Sequence, residues 1–417
     1  MHRIKKILAT QTIKDSFVVF IGLGVTAFLG FIYTIVMARV LKPDFFGVFS
    51  AVTSLVAIVY SFGDLGVGPA IIHFLPKHPE NEKKLINSSF WFQFLIGSII
   101  VILFFTLSGY SNIFVPKSLP EHFILVGVLS FNYLLIGWSQ AIFTAKKKFL
   151  SFSFSQIIDS VIKIIIVFWL LRVSNLSIST AIIANFVSTI FAFLFTFGKS
   201  LLKIKPEFDA HTFNSIFHYS KWIAVSRLFS VFFSRVDIIL LNLLASSFAA
   251  GIFAAASRIT LLFAMIVSSL GSVVNPRFSE FKSKAETVDY IKKLFLLITG
   301  VSAIVLFTVA FARPIIITVF GVSFAESIKV FQLLAISMIP FLYSVIFTAA
   351  ILYTFRQPQF YAFTTFLQFA IVLVVNILYI PKLGAYAPVL GSAISNLLVF
   401  TLSAIKLKSL LTKENIN

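Results

Sequence analysis

The residues best able to do chemistry in this chain are charges set among apolar neighbours. Arg235 and Asp237 stand at the edge of FSRVDIILLNLL, Phe233 to Leu244, a stretch otherwise dominated by Phe, Ile, Leu and Val. An isolated charge in such surroundings costs several kcal/mol unless it is paired or hydrogen-bonded. Arg227 precedes them on the same run and Arg258 lies on the next. Asp159 and Lys163 are four residues apart, a spacing that puts both on one face of a helix. Asp64 sits in SFGDLGVGP, where Gly63, Gly66, Gly68 and Pro69 interrupt an apolar helix and give it an identifiable place to bend.

These charges divide into pairs and a remainder. Asp159 can pair with Lys163. Asp237 is two positions from Arg235 and so points away from it along a helix, which makes Arg258 on the following helix the better partner. Counting Lys163, Arg227, Arg235 and Arg258 against Asp159 and Asp237 leaves two positive charges over. A positive remainder inside an apolar body suits an anionic guest. Arg235, Arg258, Arg227, Lys163, Asp237 and Asp159 are therefore the candidate substrate-binding set, and Asp64, Gly66, Gly68 and Pro69 the candidate gate.

Other chemistries do not assemble. GKS at Gly198 to Ser200 lacks the Gly that a phosphate loop needs five residues earlier, where Phe193 stands. GLG at Gly22 to Gly24 has no βαβ context and reads as close helix packing. His73 and His78 flank a loop without clustered Asp, Glu or Cys, so no metal site is expected. The chain has no Cys, which excludes thiol catalysis and iron–sulfur ligation. No nucleophile elbow or paired carboxylates occur. The chain is expected not to be an enzyme and to carry no cofactor; a coupling ion, if there is one, is not specified by these residues.

The elements that must position the charges are membrane helices. Of 417 residues, 59% are hydrophobic and 12% charged, with a mean hydropathy of +1.01; a soluble domain has about 25% charged residues. Twelve apolar runs of roughly membrane-spanning length can be marked between charged or Pro/Gly breaks, from 16–38 to 386–407. The first is expected to be kept, since no small-residue cleavage pattern follows the basic start MHRIKKI. The runs are continuous, not alternating, which excludes a β-barrel.

The formal charge of +19 would suggest nucleic acid in a soluble chain. Here it follows the positive-inside rule. With the N-terminus inside, 22 of the 34 Lys and Arg fall in inner segments and 7 in outer ones, and five lie within helices, Lys163, Lys221, Arg227, Arg235 and Arg258. Both termini, and the Lys146 to Lys148 loop, are expected to be cytoplasmic.

An internal repeat organises the runs. GVFSAVTS from Gly47 matches GIFAAASR from Gly251, and AIIANFV from Ala181 resembles SAISNLLV from Ser392, which sets Asn185 on Asn396. Nearly equal offsets imply two related halves, 1–205 and 206–417, each a six-helix lobe. The expected fold is therefore all-α and integral to the membrane, with about twelve helices in two related bundles around a central cavity and a substrate site near mid-depth.

Two stretches, ARVLKPDFFGVFSAVTSLVAIVYSFGDLGVGPAIIHFLPK (Ala38 to Lys77) and SRVDIILLNLLASSFAAGIFAAASR (Ser234 to Arg258), closely resemble the polysaccharide-biosynthesis flippases, the O-antigen and capsule repeat-unit translocases of the multidrug/oligosaccharidyl-lipid/polysaccharide exporter superfamily. The resemblance implies two six-helix bundles that alternate between inward-open and outward-open states. It implies as cargo a polyprenyl-diphosphate-linked oligosaccharide, moved from the cytoplasmic to the outer leaflet of a bacterial inner membrane. The partners to expect are that lipid-linked oligosaccharide, membrane lipid, and a polysaccharide polymerase with its chain-length factor, but no nucleic acid. A cation-coupled multidrug exporter of the same superfamily is the alternative, and the basic remainder argues against it. A membrane glycosyltransferase or polymerase would need a sizeable outer loop, and the sequence has none.

Overall fold

The computed structural model of the chain describes residues 11–200, 204–205, 209–281 and 283–412. The basic start Met1 to Ile7 and Lys413, both used in the topology argument, lie outside them, as do Lys203 and the side chain of Lys221. Among the described residues the chain is helical and contains no strand.

In chain order the principal helices are α1 (Gln11–Asp64), α2 (Val67–Phe74), α3 (Glu82–Thr106), α4 (Pro120–Ala145), α5 (Phe149–Arg172), α6 (Ile178–Ser200), α7 (Ala210–Leu244), α8 (Ser247–Glu280), α9 (Lys284–Ala310), α10 (Ala312–Phe320), α11 (Ser327–Ala349), α12 (Pro358–Leu383) and α13 (Ala387–Thr412). A π turn, Ala350–Thr354, continues α11. Nine described segments are long and apolar enough to cross a membrane, against the twelve runs expected. Two of the nine are double-length, Phe17–Asp64 and Pro358–Thr412. The first is broken at Lys42, whose φ is 58°, and the second at Gly384–Tyr386.

The breaks follow from local chemistry. Lys42 precedes Pro43, which disfavours a helical residue before it and is itself at ease in a first helical turn. Pro120 and Pro358 likewise start α4 and α12. Ser246 caps α8 by accepting from the Ala249 N–H at 3.1 Å, and Ser283 caps α9 by accepting from the Glu286 N–H at 3.2 Å. Leu65 and Gly66 both have positive φ and end α1 before α2 begins.

The chain forms two compact units, one of Met1–Leu41 with Val48–Ile239 and the other of Lys42–Gly47 with Leu240–Asn417. In the first, α3 packs on α4, α4 on α6, and α5 on α6. Its core includes Val67, Ile71, Leu85, Trp138 and Ile142, so the short α2 is anchored against α3 and α4. The Trp138 indole donates to Ser89 Oγ at 2.9 Å. In the second unit, α11 packs on α13 and α8, and α12 on α13.

Candidate functional site

The first unit gathers charged side chains into two clusters. One sits where α1 ends. Asp64 is buried, with 6% of its surface exposed. One carboxylate oxygen accepts from Arg227 Nη1 at 2.9 Å and the other from the Gly68 N–H at 3.3 Å. The Gln93 side-chain amide donates to the Asp64 carbonyl at 3.1 Å. Arg227 keeps 45% of its side chain exposed, so one end of this cation is committed to Asp64 while the rest remains reachable.

The break beside Asp64 is held from α7. Ser220 Oγ donates to the Leu65 carbonyl at 3.1 Å. Gly66 has a φ of 77°, and a Cβ there would stand 2.7 Å from Ser220 Cβ and 2.8 Å from the Ser220 carbonyl oxygen. Glycine is thus required twice, by conformation and by space. At Gly68 a Cβ would meet Asp64 Oδ1 at 3.5 Å and Ala141 Cβ at 3.9 Å, ordinary contacts. Of the four predicted gate residues, Asp64 and Gly66 carry the geometry of the break, while Gly68 contributes an N–H and Pro69 lies in the first turn of α2.

The second cluster joins α5, α6 and α1. Lys163 Nζ is 3.1 Å from Asp159 Oδ2, and these side chains are 14% and 18% exposed. This is the pair that the four-residue spacing suggested. Ser188 Oγ donates to the other Asp159 oxygen at 2.6 Å. Asn185 donates to Tyr33 Oη at 2.6 Å and to the Ala181 carbonyl at 2.9 Å. Lys163 Nζ lies 5.8 Å from the centroid of the Tyr33 ring, within cation–π range. Two tyrosines extend the polar strip: the Tyr60 and Tyr133 rings are 5.9 Å apart.

Arg235 is half-buried on α7, and no carboxylate among the described residues forms an ion pair with it. Ser220, Arg227 and Arg235 follow one another at about two helical turns, so α7 presents them along roughly one face. The remaining candidates are placed less closely: Asp237 is half-buried two residues beyond Arg235, and Arg258 is half-buried on α8 in the second unit.

The remainder of charge needs correction. Asp64 was counted with the gate, but its carboxylate neutralises Arg227, so the excess among these residues is one positive charge, not two. The two partners are 163 residues apart, and a sequence carries no register between helices so far removed. Tyr33, Tyr60, Tyr133, Gln93 and Ser188 were not singled out either, because neutral polar side chains scattered in apolar helices look alike until their partners are seen. Asn185 did carry a signal, through its match to Asn396. The two differ in their bonds: Asn185 donates within α6 and to Tyr33 on α1, whereas Asn396 donates to the Ser337 carbonyl on α11 at 3.0 Å and accepts from Gln368 on α12 at 2.9 Å.

Residues 36–329 match the family described as polysaccharide biosynthesis protein. The chain belongs to that family. In fold, this polysaccharide biosynthesis protein resembles the lipid II flippase MurJ in an inward closed conformation, with a TM-score of 0.76 over 94% of this chain and 87% of that one at 17% identity. It also resembles an inward-facing multidrug resistance MATE family transporter of the MOP superfamily, with a TM-score of 0.69 over 95% and 100% of the two chains at 13% identity. A MOP superfamily transporter from Pyrococcus furiosus gives 0.61 over 96% of each chain at 14% identity. At such identities the likeness speaks for the fold. No curated protein sequence matches the chain. The polysaccharide biosynthesis protein is thus a multi-pass membrane protein with the helical architecture of known flippases and transporters.

Proposed function

We propose that this protein flips a polyprenyl-diphosphate-linked oligosaccharide repeat unit from the cytoplasmic to the outer leaflet of a bacterial cytoplasmic membrane, by alternating access, for surface polysaccharide synthesis. The observation that carries the reading is Arg235, a half-buried guanidinium on an apolar helix with no ion-pair partner among the described residues, in a chain of the polysaccharide biosynthesis family. A cation held facing lipid costs about 2.5–3.5 kcal/mol on the lower of the contested scales. A diphosphate offsets that cost, and Arg235 in turn replaces hydration that the diphosphate loses on leaving water.

The cargo's sugars and charges cannot cross hydrocarbon unaided, because their hydrogen bonds would go unmet. The polyprenyl tail needs no such shelter and stays in lipid. Both termini are cytoplasmic in this reading, as the charge bias requires. Asp64, Gly66, Gly68 and Pro69 form the bending point, with α7 as the element that senses cargo at Arg235 and holds the break through Ser220.

The test is reconstitution. Purified protein in vesicles is given a fluorescent polyprenyl-diphosphate disaccharide in one leaflet, and in parallel a lipophilic cationic dye. Movement of the disaccharide lipid between leaflets without dye transport is the expected result; dye transport alone would establish the multidrug exporter instead.

A further inference from the structure

The second unit contains a cavity of about 260 Å³ between α8, α11, the π turn, α12 and α13. No charged residue lines it. Its walls carry Tyr353, Tyr361, Thr348, Thr365, Asn275 and Gln368. The π turn Ala350–Thr354 supplies one wall and is fixed by Thr354 Oγ1, which donates to the Phe278 carbonyl on α8 at 2.7 Å. Single π turns are rare and recur at functional sites, because they turn side chains off the regular helical stripe. Here the displaced residues are Leu352 and Tyr353, both on the cavity wall.

The hydrogen-bonding capacity of the walls is divided. Thr348 Oγ1 donates to the Ser344 carbonyl at 2.9 Å and Thr365 Oγ1 to the Tyr361 carbonyl at 2.9 Å, so these hydroxyls offer the cavity acceptor lone pairs. No protein partner is present for the Tyr353 and Tyr361 hydroxyls or the Asn275 amide among the described residues. They remain able to donate. Tyr353 and Tyr361 are also 37% and 49% exposed, so their rings offer apolar faces. A wall of neutral donors, neutral acceptors and aromatic faces offers phosphate no counter-charge and fits a polyol ring whose hydroxyls both give and accept. The volume lies just below the roughly 300–1,000 Å³ of small-molecule sites, which suits a single ring.

The geometry points to this cavity as a sugar subsite that takes one uncharged hexose ring of the cargo. It deepens the flippase reading and rests on it. The cavity lies toward the Arg356 end of α11 and α12, the end that the charge bias assigns to the cytoplasm, so it would be loaded from the side on which the lipid-linked sugar is made.

The test is calorimetric titration of the full-length protein in nanodiscs with four probes: farnesyl diphosphate, and farnesyl diphosphate linked to glucose, galactose or N-acetylglucosamine. At least one sugar-bearing probe is expected to bind about fivefold to tenfold more tightly than bare farnesyl diphosphate, the worth of one or two neutral hydrogen bonds. Asn275→Ala and Tyr361→Ala should bring that ratio toward one, with Tyr361→Phe intermediate because it keeps the ring. Arg235→Ala should weaken all four probes together and keep the ratio. Equal wild-type affinity for all four probes overturns the sugar subsite and spares the flippase reading. A sugar preference that survives both Asn275→Ala and Tyr361→Ala overturns its location. No binding of any probe overturns both readings.

Discussion

Asp64 and Arg227 show how a charge can be tolerated in an apolar setting without being free. The carboxylate is 8% exposed and its partner 45%, so the pair is sheltered on one side only. Removing either partner leaves the other under-satisfied at a cost of about 1–3 kcal/mol. Asp64→Ala and Arg227→Ala should each lower the thermal unfolding midpoint in detergent, and the double variant should fall no lower than the worse single one, because the two act as a unit. Strictly additive losses would mean that the ion pair contributes nothing. Asp159 and Lys163 were legible from sequence because a four-residue spacing fixes a shared helix face. The Asp64–Arg227 pair was not, since it depends on how α7 lies against the end of α1.

At the level of elements, close approach decides what each position accepts. Gly47 and Gly251, the two glycines aligned by the internal repeat, meet in the second unit. A Cβ on Gly47 would collide with the Ser247 carbonyl, and one on Gly251 with the Pro43 carbonyl. The clash is with backbone, which cannot rotate away, so Gly47→Ala and Gly251→Ala are each expected to destabilise by about 1–3 kcal/mol or more. Loss of folded protein on size-exclusion chromatography checks this, and unchanged yield and melting for both would refute it. The break between α1 and α2 gives a sharper contrast. Gly66→Ala meets both a left-handed backbone and Ser220, at about 1–3 kcal/mol, whereas Gly68→Ala makes only ordinary van der Waals contacts with Asp64 and Ala141. Transport by Gly68→Ala should stay near wild type and that by Gly66→Ala should fall. The reverse order would place the bend elsewhere. The repeat and the Gly/Pro cluster announced that these glycines mattered, but not which of them the backbone required, because φ and neighbouring atoms are tertiary facts.

For the whole molecule, composition and periodicity were enough to predict a helical membrane protein, and the family match and fold likeness agree with that prediction. The break expected at Lys42 to Asp44 is present, with Lys42 at a φ of 58°. The π turn that extends α11 was not foreseen, because it has no distinct hydropathy signature. In the proposed function Arg235 on α7, which has no ion-pair partner among the described residues, receives the diphosphate of a lipid-linked oligosaccharide. The direct measurement is the rate of leaflet exchange of a fluorescent polyprenyl-diphosphate disaccharide in vesicles, for wild type, Arg235→Lys and Arg235→Ala, normalised to inserted protein. Lys keeps the charge but lacks the two-pronged donor geometry, so Arg235→Lys should exchange the lipid about tenfold more slowly than wild type, equivalent to roughly 1.4 kcal/mol, and Arg235→Ala more slowly still. Wild-type exchange by both variants would contradict the claim and leave Arg235 a structural charge.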